Sequence, residues 1–168
     1  MNVFKSNQIK SLLFMAAVFL LALSDAKVIA NAAPTIDQEK PTVLITGSNR
    51  GIGLSLAQNY AEQGWNVIAT CRKPNKAMDL ISLKKEYSNV NIEELDVTSQ
   101  DQIIALAKKY DGIPIDVLLN NAGILGEVQD QAFGALNDQT FNRVFAVNTL
   151  APLKVSEAFI DHVSMSQQ

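Results

Sequence analysis

From Pro41 onward the chain alternates short apolar runs with stretches of helical period. Val43-Leu44-Ile45-Thr46 is a short, continuous apolar run, as a strand covered on both faces needs. The glycine-rich turn from Gly47 to Gly53 follows. Next comes a helix in which Ile52, Leu56 and Tyr60 share one stripe, with Gly53, Ala57 and Ala61 on a neighbouring one. Gly64 stops it. Val67-Ile68-Ala69-Thr70-Cys71 reads as the second strand, and a helix around residues 77–87 turns Met78, Ile81 and Leu83 inward. Val90-Asn91-Ile92-Glu93 alternates, which suits an outer strand. Ser99 with Gln102 makes a capping box before a helix ending near Tyr110. Ile115-Asp116-Val117-Leu118-Leu119 is the fourth strand, and a loop over residues 124–136 leads to a long helix from about Asn137. Strands separated by helical patterns of this length predict an α/β fold, a Rossmann-type doubly wound parallel sheet with helices on both faces. Right-handed crossovers give a strand order beginning 3-2-1-4.

The first 32 residues are a different kind of sequence. Lys5 and Lys10 precede an apolar run from Leu12 to Leu23, and Ala30-Asn31-Ala32 fits the small-x-small cleavage rule, with a second cut fitting after Ser24. The run is short against the roughly 20 residues of a membrane-spanning helix. A secretory signal peptide is the leading reading of residues 1–32, with an uncleaved signal anchor as the alternative; either sends the domain across the membrane. That places it outside the cell, in a periplasm or in an organelle lumen, or anchored to a membrane facing one of these. Residues 33–40 read as a polar linker, and residues 41–168 as the folded domain.

Composition narrows the partners. Without residues 1–32, which carry Lys5, Lys10, Lys27 and Asp25, the formal charge of −3 becomes −5. With no Lys/Arg run, that argues against a nucleic-acid partner. Cys71 is the single cysteine and no Cys/His cluster offers a metal site. His162 reads as a solvated helix residue, and Cys71 as a small packing residue.

The chemistry begins at Gly47-Ser48-Asn49-Arg50-Gly51-Ile52-Gly53, between a strand and a helix. Gly47 permits the tight turn, Gly51 lets the backbone approach a pyrophosphate, and Gly53 lets the helix pack closely on the sheet. The helix N-terminus offers free N–H groups and a positive dipole end to phosphates. This spacing, with Thr46 in front and Ile52 inside, resembles the short-chain dehydrogenase/reductase family. Three segments in order support the resemblance: Asp96-Val97 after the third strand, Asn120-Asn121-Ala122-Gly123 after the fourth, and Asn148 within Val147-Asn148-Thr149. It runs from about Pro41 to the last residue. Within the family, Ala69-Thr70-Cys71-Arg72-Lys73 and the stretch from Phe145 to Pro152 look most like the C-factor and sniffer type carbonyl reductases.

The resemblance implies an oxidoreductase that moves a hydride between a nicotinamide and a small carbonyl or alcohol substrate. NAD-specific sites place a carboxylate at the end of the second strand for the ribose 2′-hydroxyl. Here that strand ends Cys71-Arg72-Lys73, and Arg50 points to the same corner in family members that use NADP, so the implied cofactor is NADP(H). Asp96 would hydrogen-bond the adenine amine and Val97 the ring, while Asn121, Ala122 and Gly123 would line the adenosine ribose side.

Of the family's catalytic set only Asn148 is present, where relatives use the Asn to hold a water. Relatives also use a Ser and a Tyr-x-x-x-Lys, in which the Lys tunes the tyrosine. Tyr60, Tyr87 and Tyr110 are followed four residues on by Gly64, Asn91 and Pro114. The chain therefore reads as a cofactor-binding part, truncated before the catalytic Ser and Tyr-x-x-x-Lys, that holds NADP(H) without turnover. A non-catalytic module that binds NADP(H) or a relative's subunit is the alternative. The resemblance also implies a homo-oligomer through helix 137–163 and a fifth strand beside the fourth.

Overall fold

The structure, a computed structural model, describes residues 35–166. The leader expected over residues 1–32 lies outside the described residues. Among the described residues no helix is long and apolar enough to cross a membrane.

Four parallel strands make the sheet: β1 (Thr42–Ile45), β2 (Asn66–Cys71), β3 (Val90–Glu94) and β4 (Val117–Leu119), in the order β3-β2-β1-β4. Every residue of β1 and β2 is buried, as strands covered on both faces must be. β3, the alternating run, is an edge strand. Among the described residues six α-helices connect and follow the strands: α1 (Gly51–Glu62), α2 (Met78–Glu86), α3 (Gln100–Lys109), α4 (Asp138–Phe145), α5 (Ala151–Ala158) and α6 (Ile160–Met165).

The two faces of the sheet differ in kind. Against α1 and α2 the core is built largely of small residues, with Ala57, Ala61, Ala69 and Cys71 beside Val43, Ile45, Val67 and Leu80. The stripe of α1 that packs is Gly53, Ala57 and Ala61, while Ile52 is 75% exposed. On α2 the buried residues are Leu80 and Leu83, and Met78 faces out, because the helix starts at Met78 and its packing face falls two residues on. The opposite core is bulkier: Leu44, Ile68, Tyr110, Ile115, Val155 and Phe159. The Tyr110 hydroxyl donates to Glu93 Oε1 at 2.8 Å, and burial, followed by the Glu93 charge, pushes the phenol up from its ordinary range. Lys109 pairs with the same carboxylate at 2.7 Å.

Three expectations change. His162 is buried, not solvated. Its ring packs on Phe159 with centroids 5.0 Å apart and its Nε2 lies 3.1 Å from Ala107 O, because α6 turns that face onto α3. The capping box is half made: Ser99 Oγ accepts from Gln102 N, but the Gln102 amide reaches past Ser99 to accept from Asp96 N at 2.6 Å. Within the stretch read as a linker, residues 35–40 are tied to the sheet. Asn66, buried, donates to the carbonyls of Asp37 and Lys40 and accepts from Asp37 N, while Asn91 donates to Thr35 O.

The helix expected over 137–163 is three helices. Asn137 caps α4, accepting from Gln139 N and Thr140 N. A wide π turn, Ala146–Leu150, separates α4 from α5. Its cause is Pro152, which has no N–H for the carbonyl of Asn148 and whose ring would crowd it. The face turned inward runs Thr140, Val144, Val147, Ala151, Val155, Phe159, which takes 19 residues over five turns where an ideal α-helix takes about 18. The wide turn absorbs the extra residue. Outward lie Phe141, Phe145, Leu150, Leu153 and Ile160, all at least 41% exposed.

Phe159 is fully buried and closes α5 onto the sheet, touching the cluster that holds Leu44 and Ile115. Phe159→Ala should lower the unfolding free energy by about 3–5 kcal/mol, read from urea melts followed by circular dichroism. A loss under about 1 kcal/mol would show that this side of the core is not consolidated.

Candidate functional site

Parallel strands end together, so the turns that leave them meet at one rim. At the carboxyl ends of β1, β2, β3 and β4 those turns enclose a cavity of about 380 Å³. Gly47, at φ +72°, turns the chain out of β1, and a Cβ there would come within 2.9 Å of the Ala122 backbone. A Cβ on Gly53 would overlap Gly47 O and the Asn121 side chain, so α1 can lie this close only with glycine. At Gly51 a Cβ would meet nothing within 4 Å, and the backbone faces open space. Arg50 precedes α1 without any side-chain cap, and the first turn carries no acid. The first N–H groups of α1 are left to an anion, with the helix dipole behind them.

Beside this cavity, and sharing Asn49, Arg50, Arg72 and Asp96 with it, opens a second hollow of about 540 Å³. Its cations are Arg50, Arg72, Lys73 and Lys76, and its acids are Glu94 and Asp96. Burial pushes the Asp96 carboxyl up, but hydrogen bonds from the Thr98 hydroxyl (2.7 Å) and Thr98 N–H (2.9 Å), with the Arg72 charge, hold it below its usual range. Both bonds end on Oδ1, which leaves Oδ2 for another donor. The Cys71 thiol, which also lines the cavity, is buried and pushed up chiefly by that burial, with the Glu94 charge adding to it.

The structure places Gly47, Asn49, Arg50, Gly51, Ile52 and Gly53 around one side of the cavity. Arg72, Asp96, Val97, Asn121, Ala122 and Gly123 face them from the other turns. Ser48 is not in the wall. It is fully buried, its hydroxyl donates to Ile45 O at 2.8 Å and its N–H to Thr70 O, so it stiffens the loop from beneath. Asn121 lines the cavity, but its amide nitrogen is spent on the carbonyls of Thr46 (2.9 Å) and Gly47 (3.1 Å). Thr46 answers by accepting from Ala122 N at 3.0 Å, so the ends of β1 and β4 are clasped.

Asn148 sits in the middle of the π turn. Its Nδ2 donates to Ile124 O at 2.8 Å and its Oδ1 accepts from Ile124 N at 2.9 Å, pairing with that residue as a strand would. Its side chain thus holds the cavity's wall. None of the three tyrosines lines the cavity. Tyr60 stacks edge-on to Trp65, Tyr110 is in the core, and Tyr87 caps α2 at its far end.

Sequence reasoning passed over Leu95, Ile124 and Val147, which complete the wall, and Lys76 and Glu94 in the basic hollow. Glu94 was findable in principle. Continuing the alternation of Val90 and Ile92 puts residue 94 on the α1–α2 side of the sheet, and the parallel register sets it opposite Cys71.

A family model for short chain dehydrogenases matches residues 41–168. An uncharacterized oxidoreductase of Schizosaccharomyces pombe is 38% identical over an alignment of 123 residues that covers 68% of this chain and 46% of that protein. A short chain dehydrogenase of Penicillium aethiopicum is 36% identical, over 71% of this chain and 49% of its own. Among solved structures, a short-chain dehydrogenase/reductase from Burkholderia multivorans with bound NADP superposes with a TM-score of 0.68 at 32% identity, covering 73% of this chain and 54% of that one. The NADPH-bound carbonyl reductase from chicken fatty liver gives 0.66 at 34% identity, over 72% and 50%. This chain spans about half the length of the curated relatives it matches. With the glycine loop, the clasp after β4 and the family match all falling on one continuous stretch, the chain belongs to the short-chain dehydrogenase family of oxidoreductases.

Proposed function

We propose that this chain is the NADP(H)-holding part of a carbonyl reductase or alcohol dehydrogenase. The observation that carries the reading is the rim itself: an uncapped helix start, an open glycine at its first residue, and at the adjoining corner two guanidiniums that form no ion pair among the described residues. The pyrophosphate would lie on the first N–H groups of α1. Arg50 and Arg72 would hold the ribose 2′-phosphate, Asp96 Oδ2 would accept from the adenine amine, and Val97 would cover the ring. Ala122 and Gly123 would line the ribose side, positioned by the Asn121 clasp. The nicotinamide, when bound, supplies hydride transfer to or from a carbonyl carbon; the chain's own residues orient the dinucleotide and keep Ile124 in place through Asn148. NADP in the Burkholderia structure and NADPH in the chicken reductase support this cofactor, and two carbonyl reductases among the similar structures, from chicken and Pseudomonas aeruginosa, support the carbonyl-reductase reading.

The alternative is a non-catalytic NADP(H)-binding or subunit-interaction module. Transcript sequence running past Gln168 with a Ser and a Tyr-x-x-x-Lys would favour the reductase. A stop codon there would favour the module. We also propose that the outward face of α4 to α6, with Phe145, Leu150 and Leu153, meets a second subunit, since that much apolar surface on one side of the described residues marks an interaction site.

Three outcomes are expected. Each charge-assisted contact to a phosphate contributes on the order of 1.5–3 kcal/mol. Arg72→Asp should therefore weaken NADPH binding more than tenfold in fluorescence titrations and improve NADH; an unchanged preference would remove Arg72 from the site. The 168-residue chain should give no cofactor-dependent turnover with carbonyl or alcohol substrates above a no-protein control. Sustained turnover would mean that another acid stands in for the tyrosine. In sedimentation at micromolar concentration the chain should exceed its monomer mass, and the double change Phe145→Glu with Leu153→Glu should reduce it; a wild-type monomer would count against the subunit contact.

A further inference from the structure

The basic hollow that the NADP(H) reading assigns to a 2′-phosphate is not uniformly basic. Arg50, Arg72, Lys73 and Lys76 share its wall with two carboxylates. Asp96 is engaged: its Oδ1 takes both bonds from Thr98. Glu94 is not. Among the described residues it has no ion pair and no hydrogen bond from its side chain, whereas its neighbour Glu93 is bound by Lys109 and Tyr110. Its position follows from the sheet. In the parallel pairing of β2 with β3 the partner of Cys71 is Glu94, so the last residue of the edge strand stands beside the turn that begins with Arg72. Glu94 is exposed, and no outer strand covers it. The Cys71 thiol feels its charge, which agrees with that placement.

We propose that Glu94 is a specificity-determining residue for the dinucleotide. Approaching from β3, it opposes a 2′-phosphate and offers an acceptor to a free 2′-hydroxyl, work that NAD-selective sites give to an acid on the end of the second strand. The four cations and this carboxylate then act against each other. The hollow prefers the phosphorylated nucleotide by less than its cations alone would give, and NAD(H) is admitted as well. This rests on the NADP(H) reading of the same site.

The test is binding, read by fluorescence titration of the 168-residue chain with NADPH and with NADH. Glu94→Gln should tighten NADPH by roughly three- to tenfold, the scale of one screened charge acting on a dianion at several ångströms, and leave NADH equal or weaker. Glu94→Asp, which keeps the charge, should stay close to wild type, and the Glu94→Gln gain should shrink in high salt. If Glu94→Gln shifts both nucleotides alike, or neither, the role of Glu94 is overturned while the cofactor reading stands. If the wild-type chain binds neither nucleotide, both are overturned.

Discussion

Where α1 begins, its backbone lies so close to the Gly47 carbonyl that a single methyl group on Gly53 would overlap it. The rim of the sheet is organised around that contact. It sets the helix start low over β1, with its unpaired N–H groups turned into the cavity. It also leaves the Asn121 amide at bonding distance from Thr46 and Gly47, so β4 is fastened to β1 by the same close approach. The small residues along the α1 side of the core continue the theme away from the rim, since Ala57 and Ala61 keep the helix near the strands for its whole length.

The other face obeys a different rule. There the core is filled by Tyr110, Phe159 and leucines, and contact is made by volume instead of by absence of side chains. Position on that face is fixed by polar fasteners: Asn148 on Ile124, His162 near Ala107, and Ile115 N–H on His162 O. The cavity at the strand ends thus lies between a closely approached helix on one face and, on the other, the elements that hold the loop that walls it.

Most of the architecture was legible because its signals are local. Continuous apolar runs mark β1 and β2, alternation marks β3 as an edge, and the glycine spacing marks the loop before α1. What escaped was set by register or by tertiary contact. Glu94 belongs to the basic hollow only through its pairing with Cys71, 23 residues earlier in the chain. Ser48 sits inside the glycine motif, yet its hydroxyl is turned inward to Ile45, which no spacing rule reveals. His162 looked solvated because a lone histidine has no pattern, and only the docking of α6 on α3 buries it. The division of the last helix was signalled by Pro152, four residues after Asn148, a mark of broken hydrogen bonding that hydrophobic period alone does not carry.

The wide turn at Ala146–Leu150 also limits how this chain can vary in length. Elsewhere a helix can lose a residue at its end and keep its packing. Here the extra residue lies mid-way, between two segments that are both anchored, and deleting it would rotate one segment by about 100° relative to the other. Either Asn148 would swing away from Ile124, or Val155 and Phe159 would turn from the core to the places now held by Lys154 and Ala158. An insertion or deletion along this stretch shifts whole faces at once, so its residue count is as much a part of the design as its residue types.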